Sequence, residues 1–290
     1  MSIKGIILAG GSGTRLFPIT TVTSKHLLPI YDKPMIFYPL STLMLAGIKD
    51  ILIISTPQDT NRYKKLLGDG SDLGINLQYA IQDSPRGIAE AFIVGEDFIG
   101  NSPSMLILGD NIFYGNELQS ILKGAIQTLK GATIFAHLVK DPKRYGIVNF
   151  NNEGEIISIE EKPVNPKSKY AVVGMYLFDK EIIKIAKDIE PSNRGEFEIT
   201  SVNNVYLKNK RLAVEFFGRG MTWIDAGTTD SLMEASEFVS IIQKRQGLLI
   251  GSPEEVSWRN GWINSNKLQK LASFYNNSEY SLYLHSLVKH

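Results

Sequence analysis

The chain has 290 residues, 43% of them hydrophobic and 21% charged, and no cysteine. That length buries roughly three quarters of the unfolded surface, enough for one large domain or one domain with an appendage. A formal net charge of +1 leaves no overall field toward nucleic acid or an anionic membrane, and the missing cysteine excludes disulfides, thiolate zinc sites and cysteine nucleophiles together.

The first predicted strand, 5–9, stops at Gly10-Gly11-Ser12-Gly13, with Thr14-Arg15 directly behind. It is too short for a signal peptide and meets a glycine loop instead of a cleavage site. No stretch approaches the roughly 20 apolar residues of a membrane span. The expected location is the cytoplasm. Further strands are expected at 50–55, 76–81 and 104–108, alternating with helices at 34–45, 59–67 and 87–97. Such alternation describes a Rossmann-like α/β fold, a mostly parallel sheet with helices on both faces. Past residue 130 four β-rich segments crowd together, at 133–139, 146–150, 156–160 and 170–178, with Asn151-Asn152-Glu153-Gly154 as a hairpin turn. Helices return at 198–207 and 230–246 around a strand at 212–217. The tail reads as short helices at 254–259, 265–275 and 278–288. The expected organisation is an α/β domain over 1–250, β-rich around 130–225, and a C-terminal helical extension over 251–290.

The glycine loop is a candidate phosphate site. A dinucleotide fingerprint requires a third glycine where the chain has Leu16, and a Walker loop requires Gly-Lys-Ser/Thr where it has Gly13-Thr14-Arg15. What remains is a glycine-rich turn at the carboxyl end of the first strand, where ligands dock in open α/β sheets and successive N–H groups form an anion nest. A tight turn without ligand is the alternative. Arg15 and Lys25 flank the loop and weigh toward phosphate. Asp110 and Asp225 each follow a short apolar run beside small residues, positions that suit magnesium sharing its shell with phosphates or, equally, a helix cap or turn. Lys162 precedes Pro163, which breaks the strand and holds the lysine at a sheet edge.

The segments LAGGSGTRL, SKHLLPI, LGDNIFYG, EEKP, RGEFEIT and WIDAGT resemble, in order and spacing, those of the sugar nucleotidylyltransferases. The similarity extends over essentially the whole chain. It is greatest with the short-form branch that transfers thymidylyl groups to glucose 1-phosphate and supplies dTDP-rhamnose synthesis.

The resemblance implies that a phosphate oxygen of α-D-glucose 1-phosphate attacks the α-phosphorus of dTTP, with Mg²⁺ present and pyrophosphate leaving. It implies catalytic roles for Arg15, Lys25, Lys162 and Arg194. Leu8, Gly10, Gly11, Gly13, Thr14, Gln82, Gly87 and Asp110 would contact the nucleotide. Tyr145, Gly146, Glu161, Lys162 and Val172 would contact the sugar, and Asp110 and Asp225 the metal. Tyr114, Gly115, Glu255 and Arg259 would form a second, regulatory nucleotide-sugar site at a subunit interface of a homotetramer, where a feedback inhibitor binds. From spacing alone, Glu255 and Arg259 are an i,i+4 salt bridge. The chain departs from the branch at His26 (usually glutamine), at Arg86 (commonly acidic) and at Asn116 (histidine expected). Alternatives are transfer from UTP, another hexose 1-phosphate, or a catalytically silent regulatory subunit that binds nucleotide sugars. The retained set Arg15, Lys25, Asp110, Lys162 and Asp225 argues against silence.

Overall fold

The computed structural model describes residues 2–11 and 13–288. Strand β1 (Lys4–Ala9) leads through short 3-10 turns to a hairpin of β2 (Pro29–Ile30) and β3 (Lys33–Pro34), then to α1 (Phe37–Leu45). Next come β4 (Asp50–Ser55), α2 (Thr60–Leu67), β5 (Asn76–Ile81), α3 (Glu90–Val94), α4 (Glu96–Ile99) and β6 (Ser104–Leu108). The middle of the chain forms β7 (Asn111–Tyr114), α5 (Leu118–Thr128), β8 (Ala132–Leu138), β9 (Gly146–Phe150), β10 (Ile156–Glu161) and β11 (Tyr170–Phe178). Then follow α6 (Ile182–Asp188), α7 (Ile199–Lys208), β12 (Leu212–Phe217), β13 (Thr222–Asp225) and α8 (Thr229–Gln246). Helices α9 (Pro253–Arg259), α10 (Ser265–Phe274) and α11 (Glu279–Leu287) close the described chain.

Across the main sheet the strands run β12-β8-β11-β6-β1-β4-β5, with β11 alone antiparallel to its neighbours. The first half of β11 also meets the β9–β10 hairpin, through Ala171 beside Ile147. Ile6 and Ile7 are both fully buried, on opposite faces of the sheet. Ile7 packs with Ile53, Met105 and the α1 residues Leu40 and Leu43. Ile6 packs with Leu52, Leu106, Phe92 and Phe178. Two covered faces explain why these strands read as continuous apolar runs instead of alternating ones.

The observed elements differ from expectation in several places. Helix α1 starts at Phe37, not 34, because Lys33–Pro34 pairs with Pro29–Ile30. The expected helix 87–97 begins only at Glu90 and breaks at Gly95. Gly87 sits at φ +110 with its would-be Cβ 2.4 Å from the Phe197 carbonyl oxygen, a turn and not a helical start. Six elements had not been expected: β2, β3, α5, α6, β7 and β13. Helix α5 carried a readable stripe, since Leu118, Leu122 and Ala125 are its buried residues. Strands β7 and β13 are four residues each and gain their identity only by pairing with one another.

The tail packs on the body. Val256 of α9 belongs to the same core cluster as Ile7 and Leu40, and the Trp262 carbonyl lies 2.7 Å from where a Cβ on Gly74 would stand. Helices α10 and α11 add a small cluster of Leu268, Ala272, Tyr280 and Leu284. Among the described residues no helix is long and apolar enough to cross a membrane.

Candidate active site

Parallel pairing aligns the carboxyl ends of β1, β4 and β6: Ala9 stands beside Ser55 and Leu8 beside Leu108. Gly10 and Gly11 therefore leave the sheet next to Gly109 and Asp110. The Gly109 N–H donates to the Leu8 carbonyl at 2.9 Å. Each glycine has its own reason. A Cβ on Gly10 would lie 2.9 Å from Gln82 Oε1, whereas Gly11 faces open space at φ +95. Gly13, at φ +60, has its carbonyl held by the Thr20 hydroxyl at 2.9 Å. Ser12, within the expected nest, lies outside the described residues. The 3-10 turn Thr14–Leu16 then buries Leu16 and leaves Arg15 on the outside.

The two acids come together through the small β7–β13 sheet. Asp225 pairs with Asn111, and the Ala226 N–H donates to the Asp110 carbonyl at 2.9 Å. Asp110 is buried, forms an ion pair with the Lys25 ammonium and accepts from Asn111 Nδ2 at 2.8 Å. Burial alone would raise its carboxyl, but Lys25, His26 and these hydrogen bonds hold it well below the usual carboxylate range. Asp225 moves the other way. Burial and then the Asp110 charge push it up, against Arg15, Lys25 and Arg144. Two oxygen-donor carboxylates that oppose each other's charge beside open space fit a magnesium ion. Among the described residues no set of three or more His, Cys, Asp or Glu gathers at one point, so the remaining shell would fall to water and phosphate.

His26 is not part of that chemistry. Burial, and secondarily Lys25, push its imidazole down to about 3, so it is neutral at ordinary pH. Nδ1 lies 3.4 Å from the Ser24 hydroxyl, and the ring edge is 2.6 Å from where a Cβ on Gly109 would stand. It packs beneath the turn that presents Asp110.

A cavity of about 420 Å³ opens beside the acids. The expected sugar residues Tyr145, Gly146, Glu161, Lys162 and Val172 all line it, as do Arg15, Asp110 and Asp225. Lys162 sits at φ +44, a strained conformation for a side-chain-bearing residue, with its N–H donating to the Tyr145 carbonyl at 3.0 Å. Its ammonium is 3.7 Å from Glu161, whose other oxygen accepts from the Thr200 hydroxyl at 2.7 Å. Arg194 stays outside the lining, held by Glu198 at 2.7 Å and 3.9 Å from Glu161. Lys25, Leu8, Gly10, Gly11, Gly13, Thr14, Gln82 and Gly87 likewise do not line this cavity; they surround the strand ends next to it. Gln82 is buried and donates from Nε2 to Glu90 at 2.7 Å, and Arg86 Nε holds the other oxygen of Glu90 at 2.8 Å.

Sequence reasoning missed several lining residues: Ile88, Asn111, Arg144, Tyr176, Thr200, Asn203 and Trp223. Arg144 could have been found, standing directly before Tyr145-Gly146. Like Arg15, it makes no ion pair among the described residues, whereas Lys25, Lys162 and Arg194 each have a carboxylate within 4.0 Å. Trp223 donates to Asn111 Oδ1 at 2.6 Å and packs on Tyr145 with ring centroids 4.9 Å apart. No sequence signal marks that pairing.

The expected regulatory residues meet elsewhere. Tyr114, Gly115, Glu255 and Arg259 line a second cavity of about 870 Å³, together with Asn116 and Gln246. The anticipated i,i+4 pair is present, Arg259 Nε donating to Glu255 at 2.7 Å. Glu255 also accepts from the Tyr283 hydroxyl at 2.7 Å, and a side chain on Gly115 would collide with Met221 Sδ at 2.3 Å.

A mostly parallel sheet that brings a glycine loop and Asp110 to its carboxyl end, with Asp225 added by the β7–β13 pair and separated cations around them, belongs to an enzyme that handles nucleotide phosphates. The chain belongs to the nucleotidyl transferase family, whose profile matches residues 4–241. It is 54% identical over 287 residues to the glucose-1-phosphate thymidylyltransferase of Neisseria meningitidis, covering 99% of this chain and 100% of that one. A Bacillus anthracis structure with sucrose, assigned as a glucose-1-phosphate thymidylyltransferase, superposes with a TM-score of 0.75 at 43% identity, over 82% of this chain and 95% of that one. A UDP-glucose pyrophosphorylase holding UDP-glucose superposes with a TM-score of 0.72 at 28% identity, over 84% of this chain and 100% of that one.

Proposed function

We propose that this chain transfers a thymidylyl group from dTTP to α-D-glucose 1-phosphate, giving dTDP-glucose and pyrophosphate. The observation that carries the reading is the Asp110–Asp225 pair, set against a sugar-sized polar cavity on one side and the glycine loop on the other. A phosphate oxygen of the sugar phosphate forms a bond to the α-phosphorus while the bond to the bridging oxygen of the β-phosphate breaks. The nucleophile is already anionic near neutral pH, so no general base is required, and positioning and charge neutralisation supply the catalysis. Magnesium held by Asp110 and Asp225 would neutralise phosphate charge when bound.

In this reading the N–H groups of Gly10, Gly11, Gly13 and Thr14 wrap the triphosphate beside Leu8. Arg15 and Lys25 neutralise the leaving pyrophosphate. Lys162 and Arg194 hold the sugar phosphate, and Glu161, Tyr145, Gly146 and Val172 hold the hexose. Gln82 reads the pyrimidine edge next to Gly87; Glu90 fixes one Nε2 hydrogen, leaving the other hydrogen and Oε1 for the base. The second cavity takes a nucleotide-sugar feedback inhibitor, and the protein works as a cytoplasmic homotetramer. Similarity to a UDP-glucose pyrophosphorylase favours UTP as the competing donor.

The test is pyrophosphate release with magnesium across dTTP, UTP and ATP, each paired with glucose, galactose and N-acetylglucosamine 1-phosphates. The expected result is the highest kcat/KM with dTTP and glucose 1-phosphate, and negligible turnover with ATP. A preference for UTP would make the chain a uridylyltransferase, and no turnover with any pair would leave a binding subunit.

A further inference from the structure

Helix α7 divides its faces between core and cavity. Ile199, Val202 and Tyr206 pack with Val148 and Ile159, while Ile199, Thr200 and Asn203 reach the 420 Å³ cavity. Thr200 is committed to Glu161. Asn203 is committed to nothing. It is 1% exposed, and neither its amide oxygen nor its amide nitrogen has a hydrogen-bond partner. Among the described residues it is the one side chain with two such atoms. The adjacent Asn204 differs: its amide bonds both backbone groups of Ile159, at 3.3 and 3.0 Å. Asparagine is also a poor helix former. A buried amide left without partners is a standing cost to the fold. A leucine of similar size would remove that cost.

We propose that Asn203 reads a hydroxyl of the bound hexose, its amide pairing with that oxygen directly or through one water that the sugar holds in place. The inference rests on the cavity being the hexose 1-phosphate site. A hydroxyl both donates and accepts, as does the amide, so one group satisfies both orphan atoms. Asn203 thereby becomes a specificity-determining residue that rejects sugars lacking the matching hydroxyl.

The experiment compares the parent with Asn203→Leu and Asn203→Ala, using dTTP with glucose 1-phosphate and its 2-, 3-, 4- and 6-deoxy analogues. With glucose 1-phosphate, both variants should lose roughly 10- to 100-fold in kcat/KM, with the KM for dTTP unchanged. The parent should lose a similar factor on one deoxy analogue, and the variants should lose nothing further on that analogue alone. The melting temperature of Asn203→Leu should match or exceed the parent's, because an unpaired amide has gone. Three results overturn the proposal: parental kcat/KM with glucose 1-phosphate in folded variants, an equal loss on every analogue, or a lowered melting temperature with parental discrimination among the analogues. The last would mean a structural water. Should Asn203→Leu not fold, Asn203→Ala decides the kinetics. Failure of the underlying reading is seen in the parent alone, as no turnover of any hexose 1-phosphate, and it takes the inference with it.

Discussion

At Asp110 and Asp225 one residue's chemistry depends on the other's charge. Burial and Asp110 raise the Asp225 carboxyl, while Lys25 holds Asp110 ionised. If the pair shares a metal, Asp110→Asn and Asp225→Asn should each lower kcat on the order of 10²–10³-fold, the loss seen when one stabiliser of developing charge is removed. Near-parental rates at saturating magnesium would refute the assignment. Arg15 and Arg144 lack ion-pair partners among the described residues, and in the proposed reading Arg15 takes phosphate. Arg15→Ala should depress kcat together with kcat/KM, and Arg15→Lys should recover only part, lacking the two-pronged guanidinium grip. Steady-state kinetics with a melting control separates this from misfolding. His26 predicts an acid limb. Its folded value is about 3 against 6.5 unfolded, so the unfolded chain binds the proton first as pH falls. The stability this group contributes is therefore complete above pH 6.5 and is lost progressively down to about pH 3. His26→Gln should lose less melting temperature than the parent across that window. Parallel curves would mean that His26 titrates normally.

At the scale of elements, the β7–β13 pair decides whether a site exists at all. Its register is secured by Asn111, whose Oδ1 accepts from Trp223 Nε1 at 2.6 Å and from the Gly174 N–H at 3.2 Å. Gly174 has no room for more. A Cβ there would lie 2.6 Å from that same oxygen and 2.7 Å from Leu108 Cδ1. Gly174→Ala should therefore displace Asn111, cost about 1–3 kcal/mol of stability through overpacking, and lower kcat because Asp110 and Asp225 move apart. Chemical denaturation and kinetics on one preparation check both effects. A stable, fully active variant would show that the β7–β13 register tolerates the shift. Helix α7 carries core residues on one side and Thr200 and Asn203 on the other, a division that periodicity alone cannot assign to a ligand.

At the scale of the whole molecule, polar contacts tie the tail to the body: Asn260 Nδ2 donates to the Met44 carbonyl at 3.0 Å, and the Ser257 hydroxyl donates to the Leu73 carbonyl. Within the tail, Glu254, 4% exposed, accepts from the Tyr275 hydroxyl at 2.6 Å and from that of Tyr280. Buried Lys33 bonds Gln243 of α8 at 3.1 Å and lies 5.8 Å from the Tyr280 ring centroid. Thermal unfolding should show one cooperative transition, and Glu254→Leu should lower its midpoint by leaving buried hydroxyls unpaired, about 1–3 kcal/mol. Two separated transitions would make 251–290 an independent unit instead. By itself the sequence determined the alternating α/β half, since strands covered on both faces must be apolar throughout. The glycine loop at the end of β1 was equally legible, because backbone demands leave few residue choices there. The expected chemistry rode on short motifs, each local enough to read: GGSGTR, LGD, EEKP, WID. Tertiary structure alone decided the β7–β13 register that sets Asp225 beside Asp110, that Arg144 and Trp223 join the cavity, and that Asn203 is left unpaired in its wall. Those facts depend on contacts between segments far apart in the chain. A four-residue strand or a single helical asparagine has no periodicity of its own to announce them.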